Sequence, residues 1–178
     1  MASITFLGAA QTVTGSKYLL ETPTARILID AGLFQGLKEL RERNWQSLPI
    51  AAKDIDAIVL THAHEDHVGG LSYLLRELSF PVYGSALTLG LARNRIEEAG
   101  LLGKTELIPV TDGERRKIGP FDVEFIPVTH SVPHGFATAF HTPQGVIMHT
   151  GDWKLDLTPV DGRLTDLARM GSISYDTG

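Results

Sequence analysis

AIVLTHAHEDHVGG, residues 57–70, sets four apolar residues against three histidines and two acids in positions 62–67, then closes on two glycines. Ala57 to Leu60 is apolar without interruption, as expected of a strand buried on both faces. If residues 61–64 continue from it in extended form, His62 and His64 point to the same side, because strand side chains alternate. Asp66 and His67 then open a helix, expected to run from about Asp66 to Leu78, whose first turn bends back across the strand end. Two imidazoles converge on one point and the Asp-His pair on a neighbouring one, and Gly69 and Gly70 let the helix approach closely. Neutral imidazole nitrogen and carboxylate oxygen suit zinc and related divalent ions. His-x-His alone is common in histidine-rich surface turns. His-x-His-x-Asp-His between a buried strand and Gly-Gly is far more specific, and reads as part of a metal site.

A site of this kind needs ligands from elsewhere, and the composition narrows where they come from. The 178 residues contain no cysteine, which removes disulfides and thiolate metal sites. With 43% hydrophobic and 21% charged residues the chain is an ordinary globular protein, sized for one domain, 1–178. The net charge of −5 argues against gripping nucleic acid by bulk electrostatics. No apolar run approaches the roughly 20 residues of a membrane span, and the start MASITFLGAA lacks a basic leader, so no membrane contact and a cytoplasmic protein are expected.

Working outward, short strands alternate with helices. Ile4 to Leu7, Lys17 to Leu20 and Arg26 to Asp30 read as strands, the first two separated by the turn GAAQTVTGS. Residues 36–47 read as a helix with Leu37, Leu40 and Trp45 on one side, and a further helix is expected from Ser85 to about Ala99, stopped by Gly100. Phe121, Val123 and Phe125 alternate with Asp122 and Glu124, a half-buried strand running into Val128, Thr129 and His130. Phe136 to His141 and Val146 to His149 read as a hairpin, with His141 facing water. A helix at Leu164 to Met170 and a strand stub at Ser172 to Ser174 complete the expectation, a single α/β domain of sheets between helices.

Two of these strands end on candidate ligands: His130 in PVTHSVPHG and Asp152 in VIMHTGDW. Loops at strand ends are where a rigid sheet presents functional groups, and a carboxylate such as Asp152 has two oxygens with which to bridge neighbouring cations. THAHEDHVGG, THSVPHG and HTGDWKLD resemble, in order and spacing, successive metal-ligand motifs of the metallo-β-lactamase superfamily. FLGAAQTVTGSKYLL, LIDAGLFQG and VYGSALTLGLARNRIEEAG are similar to the nucleic-acid-processing branch that carries a β-CASP insertion, the ribonuclease J and polyadenylation-endonuclease relatives, over essentially the whole chain.

The resemblance implies an αββα sandwich, here lacking the β-CASP insertion and incomplete at its C-terminal end, where that branch supplies a last histidine ligand. It implies one or two zinc ions, with manganese as the substitute, His62, His64 and His130 on the first, Asp66 and His67 on the second, and Asp152 bridging. Asp66 would also hold or accept the proton of the attacking water, which makes it the catalytic residue. Asp30 would orient the ligand loop, His149 fix the TGD loop by hydrogen bonding, and His134 reach substrate. The function so implied is metal-dependent hydrolysis of a phosphodiester in single-stranded RNA, or in DNA. Arg93 with Arg95 and the run Arg115 to Lys117 are either phosphate contacts or solvated charge. Two other readings stand beside it: a small-ester or lactone hydrolase on the same fold, and a non-catalytic metal-binding domain whose exposed sheet edge makes it a homo-oligomer.

Overall fold

The run at 57–60 is buried as its composition requires, and a sheet grows on both sides of it in the computed structural model, which describes residues 1–50, 54–77 and 79–177. Strands β1 (Ser3–Phe6), β2 (Tyr18–Thr22) and β3 (Ala25–Ile29) pair antiparallel. From β3 the sheet continues in parallel through β4 (Ala57–Val59), β5 (Val82–Gly84) and β6 (Leu107–Pro109). A second, antiparallel sheet has the order β10-β9-β8-β7, from β7 (Arg115–Ile118), β8 (Phe121–Val128), β9 (Gly135–Thr142) and β10 (Gly145–His149).

Side-chain alternation divides the apolar residues among three layers. Leu20, Ile27, Ile29, Val59, Phe121, Val123, Phe125, Phe136 and Phe140 meet between the sheets. Their neighbours Leu19, Leu28, Ile58 and Leu60 face the other way, under Val68, Leu71, Leu89 and Ile96. These last four lie on or beside the helices α2 (Glu65–Val68), α3 (Leu71–Leu74) and α4 (Ala86–Glu98). On the far side of the second sheet, Ile126, Val128, Ala137 and Ala139 pack against Ile173 and Met170 of helix α5 (Leu167–Thr177). The result is the expected four-layer αββα arrangement. Helix α4 begins where its sequence says it should, with the Ser85 hydroxyl accepting from the Thr88 N–H at 3.1 Å. No helix among the described residues is long and apolar enough to cross a membrane.

Several local expectations fail for identifiable reasons. The helix expected over 66–78 opens at Glu65 and breaks into α2 and α3. The Gly70 N–H leaves the helical pattern to donate to the Ala31 carbonyl at 2.7 Å, and a Cβ on Gly70 would lie 2.6 Å from the Gly32 oxygen. Leu78, at the expected end, lies outside the described residues. The helix expected over 36–47 is α1 (Lys38–Glu42) followed by a 3-10 turn at Arg43–Trp45, and neither buries a residue. Leu37 and Trp45 are exposed, because Arg43 and Trp45 are drawn to the rings of Phe34 and Tyr73 instead of forming an apolar stripe. The strand stub at Ser172 to Ser174 is part of α5, since Met170 and Ile173 lie one helical turn apart on its buried face. His141 does not face open water: it is half-buried and 3.0 Å from the Glu124 carboxylate. The short strands β5, β6 and β7 carried too little alternation to be read in advance.

Candidate metal centre

Four strand ends meet at one rim of the sandwich. Asp30 follows β3, fully buried and with φ of 59°, in the left-handed region that few non-glycine residues adopt. Thr61, His62 and His64 follow β4, and α2 begins immediately with His64 at its N-terminal boundary. His130 follows β8 across the interface between the sheets, and Asp152 follows β10. The Thr61 carbonyl accepts from the Phe136 N–H at 2.9 Å and so ties the end of β4 to the second sheet. Gly151, with φ of 57°, passes so close that a Cβ there would lie 2.9 Å from that of Thr61. Beyond it, Lys154 and Thr129 exchange backbone and hydroxyl hydrogen bonds of 2.8 and 2.5 Å, pinning the Asp152 loop beside His130.

Three imidazole nitrogens converge. His62 Nε2 is 3.1 Å from His64 Nδ1, which is 3.2 Å from His130 Nε2. Around a tetrahedral zinc with Zn–N bonds of about 2.0–2.1 Å, ligand nitrogens stand about 3.3 Å apart, so the spacing fits such an ion. The outer nitrogens fix the tautomers. The Thr61 hydroxyl donates to Asp30 Oδ2 at 2.8 Å, so it receives the His62 Nδ1 proton at 3.0 Å, which leaves the inward Nε2 lone pair bare. Ser131 Oγ, 3.1 Å from His64 Nε2, holds that ring with Nδ1 inward. Burial, aided by the His67 charge, pushes the His62 imidazole down to about 3, so its lone pair is free at any ordinary pH. Burial likewise lowers His130.

A second group adjoins the first: His62, His67 and Asp152. The His67 Nδ1 proton goes to Asp30 Oδ2 at 2.7 Å, turning Nε2 toward Asp66 Oδ2 at 3.8 Å and Asp152 Oδ1 at 3.6 Å. The other oxygen of Asp152 is 3.8 Å from His130 Nε2, so one carboxylate faces both groups. Burial alone would push the Asp30 carboxyl up, but its bond to His67 and that ring's charge outweigh it and hold the group below the ordinary carboxylate range. His67 is raised by the same pair in spite of burial. The donor set of imidazoles and carboxylates suits one or two divalent ions of borderline hardness.

The six residues expected to hold metal are thus brought together, with Asp30 beneath them. His149 points Nδ1 at the Gly151 N–H, 3.3 Å away, and lies 4.6 Å from the Tyr18 ring. His134 is exposed, with φ of 59°, in a depression with Ser85, Leu87 and Thr111, and does not join the cluster. Three hydroxyl groups escaped the sequence reading: Thr61 and Ser131, each directly beside a histidine, and Ser16, 3.4 Å from His67 Nε2. A hydroxyl adjoining a ligand histidine was the available signal for the first two. The basic residues considered for phosphate are largely neutralised: Arg95 pairs with Glu65 at 2.8 Å, Arg115 with Asp122 at 2.6 Å and Arg116 with Glu114 at 2.8 Å.

Known proteins similar to this chain place it in a family. Ribonuclease J of Helicobacter pylori is 39% identical over 175 residues, which is 94% of this chain and 25% of that protein. Ribonuclease J of Synechocystis is 37% identical over 171 residues, 92% of this chain and 27% of the relative. The chain spans about a quarter of the length of these curated relatives. Among solved structures, the metallo-beta-lactamase fold protein YhfI from Bacillus subtilis superposes with a TM-score of 0.63 at 21% identity, covering 85% of this chain and 62% of that one. The model of the metallo-beta-lactamase superfamily matches residues 12–167, and with the histidine and carboxylate cluster in place the chain belongs to that superfamily.

Proposed function

We propose that this chain carries the zinc centre of a hydrolase that cleaves phosphodiester bonds in single-stranded RNA. The observation that carries the reading is the Asp152 carboxylate, which offers one oxygen to the His67 side and the other to the His130 side of a single cluster. His62, His64 and His130 would hold one ion and Asp66 and His67 another, with Asp152 within reach of both groups. Zinc fits the nitrogen-rich donor set, with manganese as its substitute. When bound, such ions polarise a phosphoryl oxygen and make water acidic enough to attack near neutral pH. Asp66, about a quarter exposed at its side chain, holds the proton of that water, while Asp30 and Thr61 keep the rings of His67 and His62 oriented. His134 is the candidate substrate contact. The ribonuclease J relatives support RNA as the substrate class.

The test is cleavage of a 5′-phosphorylated, end-labelled single-stranded RNA by the purified chain, with zinc or manganese and with chelator, beside Asp66→Ala. Metal-dependent cleavage should fall at least about a hundredfold in the variant. No cleavage above the variant, from protein that still binds zinc, would sink the reading for this chain. Turnover of a small ester or lactone in place of RNA would move it to that substrate class.

A further inference from the structure

Away from the cluster, the 3-10 turn Arg43–Trp45 and helix α3 enclose a cleft of about 290 Å³. Trp45 is 65% exposed and stands edge-on to Tyr73, with ring centres 4.7 Å apart and planes at 86°. The Arg76 guanidinium lies 5.2 Å from the centre of the Trp45 ring and 5.9 Å from that of Tyr73. Asn44, Gln46, Ser47 and Glu77 give the cleft polar lining beside the apolar Leu48, Ile50 and Leu74. One residue back along the turn, Arg43 lies 4.1 Å from the centre of the Phe34 ring, and Lys17 lies 5.2 Å from it.

On a chain of net charge −5, Arg26, Arg95, Arg115, Arg116, Arg163 and Arg169 each have a carboxylate partner. Among the described residues Lys17, Arg43 and Arg76 have none within 4.0 Å, although Glu77 adjoins Arg76 in the chain, and aromatic rings are their neighbours instead. Among the described residues Arg41, Arg93 and Lys104 also lack a carboxylate within 4.0 Å, and what sets the cations of this face apart is aromatic rings standing in its place. Lys17 is also buried, and burial, with a smaller contribution from Arg43, lowers its ammonium to about 8. Buried backbone links the Phe34 end of this region to the metal centre. Ala31 and Leu33 donate their N–H groups to the His67 and Glu65 carbonyls from beneath α2, and the next residue is Phe34.

We infer that this face binds a single strand of RNA outside the metal centre, an unpaired base stacking on Trp45 while Arg76 and Arg43 meet the flanking phosphates. The inference rests on the proposed ribonuclease reading and gives the strand a contact outside the metal centre. Stacking on an exposed aromatic ring with interleaved cations is how single strands are held without sequence preference.

The experiment is anisotropy of a fluorescein-labelled twelve-nucleotide oligouridylate with the full chain in chelator, so that binding is read without cleavage. Trp45→Ala should weaken binding about tenfold, and Trp45→Phe should retain most of it. Arg76→Ala should reduce the slope of log affinity against log salt by about 0.7. A blunt RNA duplex of equal charge should be insensitive to Trp45→Ala. Single-strand affinity within twofold of wild type in Trp45→Ala, or equal losses for duplex and single strand, would overturn the inference. So would a fall in sedimentation coefficient in Trp45→Ala with RNA affinity intact, which assigns the face to a second copy of the chain. Trp45 is exposed, so the variant should fold, and an unchanged thermal melt verifies that. If cleavage fails with every metal while the Trp45 effect persists, the catalytic reading falls and the binding face stands. Cleavage that is metal-dependent yet indifferent to Trp45 gives the reverse.

Discussion

Asp30 makes contact with no expected metal ligand but His67, yet it sets the direction of two of them. One oxygen accepts the Thr61 N–H at 2.7 Å, and the other accepts both the Thr61 hydroxyl and the His67 Nδ1 proton. Every group around it is a donor, so a neutral amide cannot replace it. In Asp30→Asn the amide NH2 must point at a donor in either orientation, leaving a buried clash or an unsatisfied group. Asparagine is nevertheless the informative substitution, because it tolerates the φ of 59° that would strain alanine and so isolates the loss of charge. Zinc affinity should drop by about 10- to 100-fold, measured by competition with a chromophoric chelator. Affinity unchanged from wild type would show that His62 and His67 hold their orientation without the carboxylate. Taken alone, the aspartate of LIDAG is an acid at a strand end, and its orienting role was expected only from the family resemblance. Its left-handed backbone and its three donors come from the meeting of β3, β4 and α2, which no local pattern encodes.

Helix α5 shows the same limit at the scale of an element. Ser-Ile-Ser at 172–174 alternates like a strand, and what makes it helical is the surface beneath it. Met170 and Ile173 pack on the outer face of the second sheet, and Arg169 forms a two-bonded pair with Glu124 at 2.5 and 2.9 Å. Glu124 is buried in the middle of β8 and also meets His141. The Arg169 hydrogen bonds hold its carboxyl below the ordinary range, against burial and with help from His141. A carboxyl depressed in the folded state stabilises fully above its unfolded value of about 4.5, and that stabilisation is lost as pH falls through the lower folded value. Acid should therefore release α5 before the sheets, seen as faster amide exchange at 167–177 below about pH 4.5. Glu124→Gln should cost on the order of 2–3 kcal/mol near pH 7, measured by urea denaturation, and should remove that acid step from α5. An α5 that loosens in acid to the same extent in Glu124→Gln would place the sensitivity elsewhere.

Across the whole molecule, the site was more legible than the scaffold around it. Its ligands stand directly after strands whose apolar runs are visible in sequence, and a buried strand ending in His-x-His fixes the direction of its side chains. The short strands were not, since β5, β6 and β7 are only three or four residues long and are defined by their neighbours. Ligand placement carries a consequence for stability. Asp30, His62, His64 and His67 belong to the first sheet and α2, whereas His130 and Asp152 belong to the second. An ion held by residues from both sides cross-links the sandwich at one rim, in addition to the apolar layer that joins the sheets along their length. That layer is independent of metal, so the chain should stay folded in chelator and only lose stability. With free zinc at about a hundred times its dissociation constant, binding adds about 2.7 kcal/mol to the folded state. For a chain of this size that corresponds to a melting temperature higher by roughly 5–10 °C, measured by circular dichroism against the chelated protein. The gain should shrink in His130→Ala and vanish in His130→Ala with Asp152→Ala, which removes both second-sheet ligands, while the chelated melts of variants and wild type stay close. A zinc-dependent rise that survives in the double variant would show that the ion is held by the first sheet and α2 alone and does not join the two halves.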